Sequence, residues 1–482
     1  MWTWFFFFFD LLLRLIFSYR ILRRRLPVSV AWAWLGLILF FPFAGTFLYL
    51  FVGEYRLGRR RRRRLRVAHR SIAHLIRKRF AHRHDEKVLP EPLRSAALTA
   101  RGLFGAPLLL NNSLELLPGA DRCFARMIAD IDAARKSCDM EFYIWSDKGR
   151  ADDFGEALIR AAGRGVRVRV LVDQIGSAKF LKGPMVERLR QAGVQVHVAL
   201  PAGLWQALFS RPDLRLHRKI LVIDGDIGYT GSLNLADPKY FNLSVGVGPW
   251  VDALCRVQGP AVEALHLVFL SDWSLESRHH FSTEDKGAGF APALSAIETS
   301  SRRAQVQCLP SEPAASGSDI EQVLISLLYL ARQEILLTTP YFVPSEALLS
   351  ALTSAARRGV QVTLIVPARV DSRLTQAASQ LPLKILAESG ARVALYQPGL
   401  LHTKSVTVDG AMSLFGSLNL DPRSLRINFE ITLAVYDEVF TRELRLLQEE
   451  YLSASVALES DQVSGRLKNF KEDLARLLGP LL

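Results

Sequence analysis

A nine-residue pattern occurs twice in this chain, and its duplication constrains the fold more than any other feature. Residues Leu216–Asp224 read LHRKILVID and Leu401–Asp409 read LHTKSVTVD, each of them His-x-Lys-x4-Asp. Each pattern runs on into Gly-Ser-x-Asn. His217, Lys219, Asp224, Gly231, Ser232 and Asn234 therefore match His402, Lys404, Asp409, Gly416, Ser417 and Asn419 in spacing. A register shared over six positions points to a duplicated unit, and so to two similar halves.

The neighbouring segments repeat in the same order. Gly165–Asp173 alternates apolar and polar residues after a helical stretch, as a strand does, and its opening resembles Gly359-Val360-Gln361-Val362. Gly193-Val194-Gln195-Val196 is echoed by Gly390-Ala391-Arg392-Val393, and Tyr143 corresponds to Tyr341. Helix and strand alternate in each half. The expected fold class is α/β, a sandwich built from two similar lobes. The boundaries read as a membrane anchor with Arg-rich flanks over 1–66, a basic helical connector over 67–105 and a first lobe over 106–275. A Ser-, Ala-, Gly- and Pro-rich connection follows over 276–318, then a second lobe with C-terminal helices over 319–482.

Charge separates the N-terminus from the body. Residues 1–66 hold thirteen arginines against Asp10 and Glu54, which leaves only +3 of the chain's +14 for the remaining 416 residues. That distribution suits a membrane flank and argues against a nucleic-acid groove. Val28–Val52 runs 25 residues without a charge, enough for one helix to cross a hydrocarbon core of about 30 Å. Trp2–Phe17 is shorter and interrupted by Asp10 and Arg14. The heavier arginine cluster after the long segment places the body in the cytoplasm. Two crossings, or a re-entrant hairpin bent at Phe41-Pro42-Phe43-Ala44-Gly45, are both open. The arginines should also attract anionic lipid. Cys123, Cys138, Cys255 and Cys308 lie far apart and read as small buried hydrophobes.

In an extended segment, residues two apart face the same side, so His217 and Lys219 project together, as do His402 and Lys404. Brought to one cleft, they would surround a phosphate with two ammonium groups, two Asn amides and two glycine turns. One imidazole can attack phosphorus while the other protonates the departing alcohol. The lysines supply the charge a metal would otherwise bring, so neither metal nor cofactor is expected. Asp224 and Asp409 each precede a glycine. A turn-forming role and a catalytic one are equally open for them.

At these residues the sequence resembles the phospholipase D superfamily with its paired HKD motifs, and more narrowly the bacterial phospholipase D-type cardiolipin synthases. The likeness spans nearly the whole chain, including the apolar N-terminus, Gly176-Ser177, Gly259-Pro260-Ala261-Val262, Asp272-Trp273, Pro340-Tyr341-Phe342-Val343-Pro344 and Arg423–Glu430. It implies two pseudo-twofold-related α-β-α lobes forming one active site at their interface, in an enzyme of the bacterial inner membrane that joins two phosphatidylglycerol molecules and releases glycerol. One of His217 and His402 would become the phosphohistidine. The other would protonate the leaving glycerol and then deprotonate the acceptor. Lys219, Lys404, Asn234 and Asn419 would bind phosphate with Ser232 and Ser417 beside them, and an acid in each half, Asp252 and Glu430, would orient a histidine. Val251 stands where the family commonly has Arg. A hydrolase using water as acceptor is the alternative. A nuclease of the superfamily fits the near-neutral body poorly.

Overall fold

The computed structural model describes residues 2–24, 26, 28–53, 61, 63–65, 86–201, 211, 213–277, 303–313 and 319–458. These form two compact units, one of Met1–Arg62 with Pro201–Leu214, the other of Arg63–Leu200 with Arg215–Pro480.

The larger unit is built on one continuous sheet. Its first half supplies β1 (Leu109–Pro118), β2 (Ser137–Phe142), β3 (Arg167–Asp173), β4 (Gln195–Ala199), β5 (Ile220–Ile223), β6 (Ile227–Gly231), β7 (Trp250–Val251) and β8 (Ala253–Gln258). The second half supplies β9 (Ala304–Ser311), β10 (Glu334–Thr338), β11 (Gln361–Pro367), β12 (Arg392–Tyr396), β13 (Leu400–Leu401), β14 (Ser405–Val408), β15 (Met412–Gly416), β16 (Glu430–Tyr436) and β17 (Ser455–Ala457). Outward from the centre, one side runs β1-β8-β6-β5-β2-β3-β4. The other runs β9-β16-β15-β14-β10-β11-β12, with β17 added at its edge, while β7 and β13 pair with each other outside this sheet. The two orders are the same, and β1 and β9 pair antiparallel to join them.

Parallel neighbours β2-β3-β4 and β10-β11-β12 need crossover connections. Helices Arg150–Gly163 and Pro184–Gln191 supply them in the first half, and Glu346–Arg357 and Arg373–Glu388 in the second. Each outer helix turns an apolar stripe to its half. Phe154, Leu158, Met185 and Leu189 join Met140, Val170 and Leu221 in one core, while Leu348, Leu352 and Leu386 join Leu337, Leu364 and Leu414 in the other. A third cluster packs helices Pro260–Glu276 and Glu438–Ser453, through residues such as Leu265 and Leu444, against Val222, Val306, Leu336 and Phe415.

Two boundaries differ from expectation. The connection expected over 276–318 includes β9, a central strand, so the halves are hydrogen-bonded neighbours rather than linked bodies. The connector expected over 67–105 contains helix Leu93–Phe104, whose Ala96, Ala97 and Ala100 are buried in the second-half core. Alanine's small side chain allows that close packing, which a composition reading registers only as helix propensity. The four cysteines are buried and unpaired, as small hydrophobes.

In the smaller unit the 25-residue apolar segment is not one helix. Helix Val28–Phe40 stops, Phe41 adopts φ −133° and ψ 70°, and Pro42–Leu48 starts again with a π-helical turn over Tyr49–Gly53. Pro42 has no N–H and disfavours helical geometry at the residue before it, which places the break at the anticipated bend. No helix among the described residues is long and apolar enough to cross a membrane. The preceding helix, Trp2–Arg23, leaves Trp2, Trp4 and Phe5 to Phe9 exposed, while Phe17 and Ile21 pack with Trp34, Ile38 and Tyr49.

Candidate active site

The two motif histidines are positioned by a reciprocal exchange between the halves. Residues 217–219 precede β5 rather than lying in its ladder, because the His217 N–H donates to the Phe429 carbonyl at 2.9 Å. The His402 N–H likewise donates to the Val251 carbonyl at 2.8 Å, where β13 runs parallel to β7. Phe429 and Val251 are the residues just before Glu430 and Asp252. Each acid is therefore delivered to the histidine of the other half.

The side chains complete the crossing. His217 Nδ1 lies 2.9 Å from Glu430 Oε2, and His402 Nδ1 lies 2.7 Å from Asp252 Oδ1. The sequence reading gave each half its own acid; the structure exchanges them. Ser417 Oγ donates to the same Glu430 oxygen at 2.5 Å, and Ser232 Oγ donates to Asp252 at 2.6 Å. The serines, expected beside phosphate, are thus occupied with fixing the carboxylates. Gly231 and Gly416 make this possible, since a Cβ there would fall 2.5 Å and 2.2 Å from the carbonyls of Ala253 and Ile431.

With Nδ1 engaged by a carboxylate, each imidazole presents Nε2 for chemistry. Burial lowers the proton affinity of both rings, to about 4 for His217 and about 3 for His402. Burial opposes ionisation of the acids as well, but the facing histidines and lysines hold Glu430 below its ordinary value and Asp252 at about 2.

Lys219 and Lys404 are both buried, and each ammonium donates to the backbone carbonyl of its own motif histidine. Burial presses Lys219 down to about 8 and Lys404 well below its ordinary value. The charge of Lys404 reaches His217 and that of Lys219 reaches His402, so both motifs share one electrostatic site. Asn234 Nδ2 and Asn419 Oδ1 are buried and have no hydrogen-bond partner among the described residues. The unmet Asn234 Nδ2 donor and the two ammonium groups suit an anion, while the unmet Asn419 Oδ1 can accept from a hydroxyl.

Asp224 and Asp409 are elsewhere. Each sits at positive φ, 55° and 50°, at the far end of the strand that begins after its motif lysine, roughly 20 Å along the chain from the histidine. Asp224 accepts the N–H groups of Arg135, Lys136 and Ser137 at 2.6–2.8 Å. Asp409 accepts those of Arg332, Gln333 and Glu334 at 2.8–2.9 Å. Of the two roles left open for them, these contacts are those of a turn residue: each caps the loop entering β2 or β10.

Residues outside the motifs complete the site. The Tyr143 ring centroid is 5.0 Å from that of His217, and the Trp250 ring 4.2 Å from that of His402. Asn428 Nδ2 donates to Glu430 Oε1 at 3.2 Å. Arg218, fully buried, donates to the carbonyls of Glu430 and Ser311 and to the Asp272 carboxylate, and its guanidinium lies over Phe429 at 5.4 Å. Trp250 and Asn428 lie two residues before the acids, which is the signal that could have found them. Arg218, the variable residue of its motif, carries none. Among the described residues no three His, Cys, Asp or Glu side chains are grouped to hold a metal ion.

Paired histidines, crossed acids and buried lysines on a duplicated α/β sheet define a phospholipase D-like site for phosphodiester exchange. The family model "Cardiolipin synthase, PLD-like domain" matches residues 127–245 and 324–450, one block per half. The cardiolipin synthase A of Erwinia tasmaniensis is 37% identical over 96% of this chain and 95% of its own length. That of Escherichia coli K12 is 38% identical over 92% and 90%. The crystal structure of phosphatidylserine synthase from Haemophilus influenzae matches with a TM-score of 0.58 at 16% identity, over 80% of this chain and all of that one, a likeness of fold. The chain belongs to the cardiolipin synthase family of phospholipase D-like proteins.

Proposed function

We propose that this protein is a phosphatidyltransferase that converts two phosphatidylglycerol molecules into cardiolipin and glycerol. The observation that carries the chemistry is the crossed pair of carboxylate-oriented histidines within reach of two buried lysines. The lipid substrate is supported by the family and by full-length relatives named cardiolipin synthase A.

The donor's phosphodiester would lie between Nε2 of His217 and Nε2 of His402, its oxygens met by Lys219, Lys404, Asn234 and Asn419. One imidazole, neutral after burial, attacks phosphorus and forms a P–N bond as the P–O bond to glycerol breaks. The other enters the step as an imidazolium, a state that the negative charge of the bound phosphodiester favours against burial, and its Nε2 gives that proton to the departing oxygen. It then takes the proton from a second phosphatidylglycerol hydroxyl, whose oxygen attacks phosphorus and releases the first histidine. Protons balance over the cycle. Glu430 and Asp252 stabilise the imidazolium that forms on each side without moving a proton.

The exposed aromatic surface of Trp2–Arg23 suits a lipid interface, where tryptophan and phenylalanine side chains are stable. Association with the bacterial inner membrane, with the body cytoplasmic, follows as part of the same reading. Purified protein given phosphatidylglycerol alone, with EDTA present, is expected to form cardiolipin and free glycerol in equal amounts by lipid chromatography. Phosphatidic acid as the sole product would establish a hydrolase instead.

A further inference from the structure

The halves differ at one place beside the site. Asp252 lies eighteen positions after Asn234, whereas Glu430 lies eleven after Asn419. The shorter segment folds into helix Pro422–Arg426 and buries its apolar residues Leu425 and Ile427. The longer one does the opposite at its tip. Tyr240 is 58% exposed, Leu243 57% and Val245 45%. Closing the pseudo-symmetric fold does not require the seven additional residues, since the second half closes without them.

The loop is built to hold that tip out. Its base is fixed where Asp237 accepts the backbone N–H groups of Arg150 and Lys239 at 3.0 and 2.9 Å, and its far side where Val247 is buried with Ile144 and Leu400. Phe241 meets Trp250 edge-on at 5.0 Å, and Trp250 packs on His402. The exposed tip is thus continuous with the catalytic histidine through two aromatic rings. On the first half's other loop, Ile175 is 47% exposed beside Gly176, which lies against Tyr143, and Tyr143 packs on His217. Lys148 is exposed next to Gly149, where a Cβ would fall 2.7 Å from the Tyr240 ring, and Lys179 is exposed four positions after Ile175.

We infer that Tyr240, Leu243 and Val245, with Ile175, dock the mouth of the catalytic body into a bilayer of anionic phospholipid. Apolar tips enter the acyl boundary while the lysines meet head groups, and the substrate's phosphodiester is then delivered at the level of the histidines. This inference rests on the phosphatidyltransfer reading for the identity of the lipid. A soluble partner or a second copy of the chain would cover the same side chains without lipid.

The test uses the full chain in phosphatidylglycerol nanodiscs with a nitroxide on Leu243→Cys or, separately, Leu446→Cys. Leu446 is 54% exposed on helix Glu438–Ser453, and burial raises the thiols of all four native cysteines, which disfavours labelling them. At Leu243, collisions with dissolved oxygen are expected to exceed those with a water-soluble nickel chelate several-fold, with the reverse at Leu446. The same balance at both sites, or a water-facing label at Leu243, overturns the inference. In mixed micelles, Leu243→Ser with Val245→Ser is expected to raise the apparent KM for phosphatidylglycerol several-fold, recoverable at saturating lipid. An unchanged KM also overturns it. The nitroxide readout needs no turnover, so a lipid-facing label in a protein that makes no cardiolipin would defeat the functional reading and leave docking standing.

Discussion

At the scale of single residues, the site's work is divided between groups that react and groups that hold them. His217→Ala and His402→Ala are each expected to abolish transfer, since acid and nucleophile act as one unit; near-normal cardiolipin synthesis by either would remove the shared-site reading. Glu430→Gln or Asp252→Asn keeps shape but removes the charge facing an imidazolium, and should lower kcat by roughly 10²–10⁴ with little change in KM. Lys219 adds a pH dependence. Burial brings its ammonium to about 8, so it is charged below that pH and neutral above it. The value of kcat/KM should therefore fall as pH rises through about 8, and a profile flat to pH 10 would show that this charge is not needed. The histidines, lysines and asparagines were legible because they repeat. The destination of each serine and aspartate was not, because a hydrogen-bond partner is a spatial neighbour and spacing along the chain does not name it.

At the scale of elements, Asp224 and Asp409 show how a motif residue can belong to the scaffold. Each gathers three N–H groups at the entrance to a parallel strand, and positive φ makes its position costly for most side chains. Asp224→Ala should lower stability by about 1–3 kcal/mol through the unmet donors, while the folded fraction keeps its specific activity. Thermal melting followed by assay of the refolded protein measures both; lost activity at an unchanged melting temperature would make the carboxylate chemical. Alternation identified strands such as Arg167–Asp173 because a pleated strand repeats every two residues. It missed that the helix at Leu93–Phe104 belongs to the second half's core, since an alanine face is apolar too weakly to declare a partner.

At the scale of the molecule, the halves are joined by the β1–β9 ladder and by side chains that cross between them. Arg218 has no basic counterpart at Thr403, which instead hydrogen-bonds the Val251 carbonyl and the Tyr451 hydroxyl. Arg218→Met would leave Asp272 and two carbonyls without this partner inside the body, and is expected to cost about 3–5 kcal/mol in denaturant unfolding. A loss below 1 kcal/mol would mean that Arg218 adds little to what holds the halves together. The sequence by itself determined that there are two equivalent halves, that each brings a histidine, a lysine and an asparagine, and that these suit a phosphate. Repetition and side-chain chemistry are local properties, so they survive in one dimension. Only the tertiary structure decided that Glu430 serves His217 and Asp252 serves His402, and where the motif aspartates find their three N–H partners. Each depends on which strand end lies beside which, through backbone pairings such as His217 with Phe429 and His402 with Val251. Neighbours about 210 and 150 residues apart are set by the closure of the sheet as a whole.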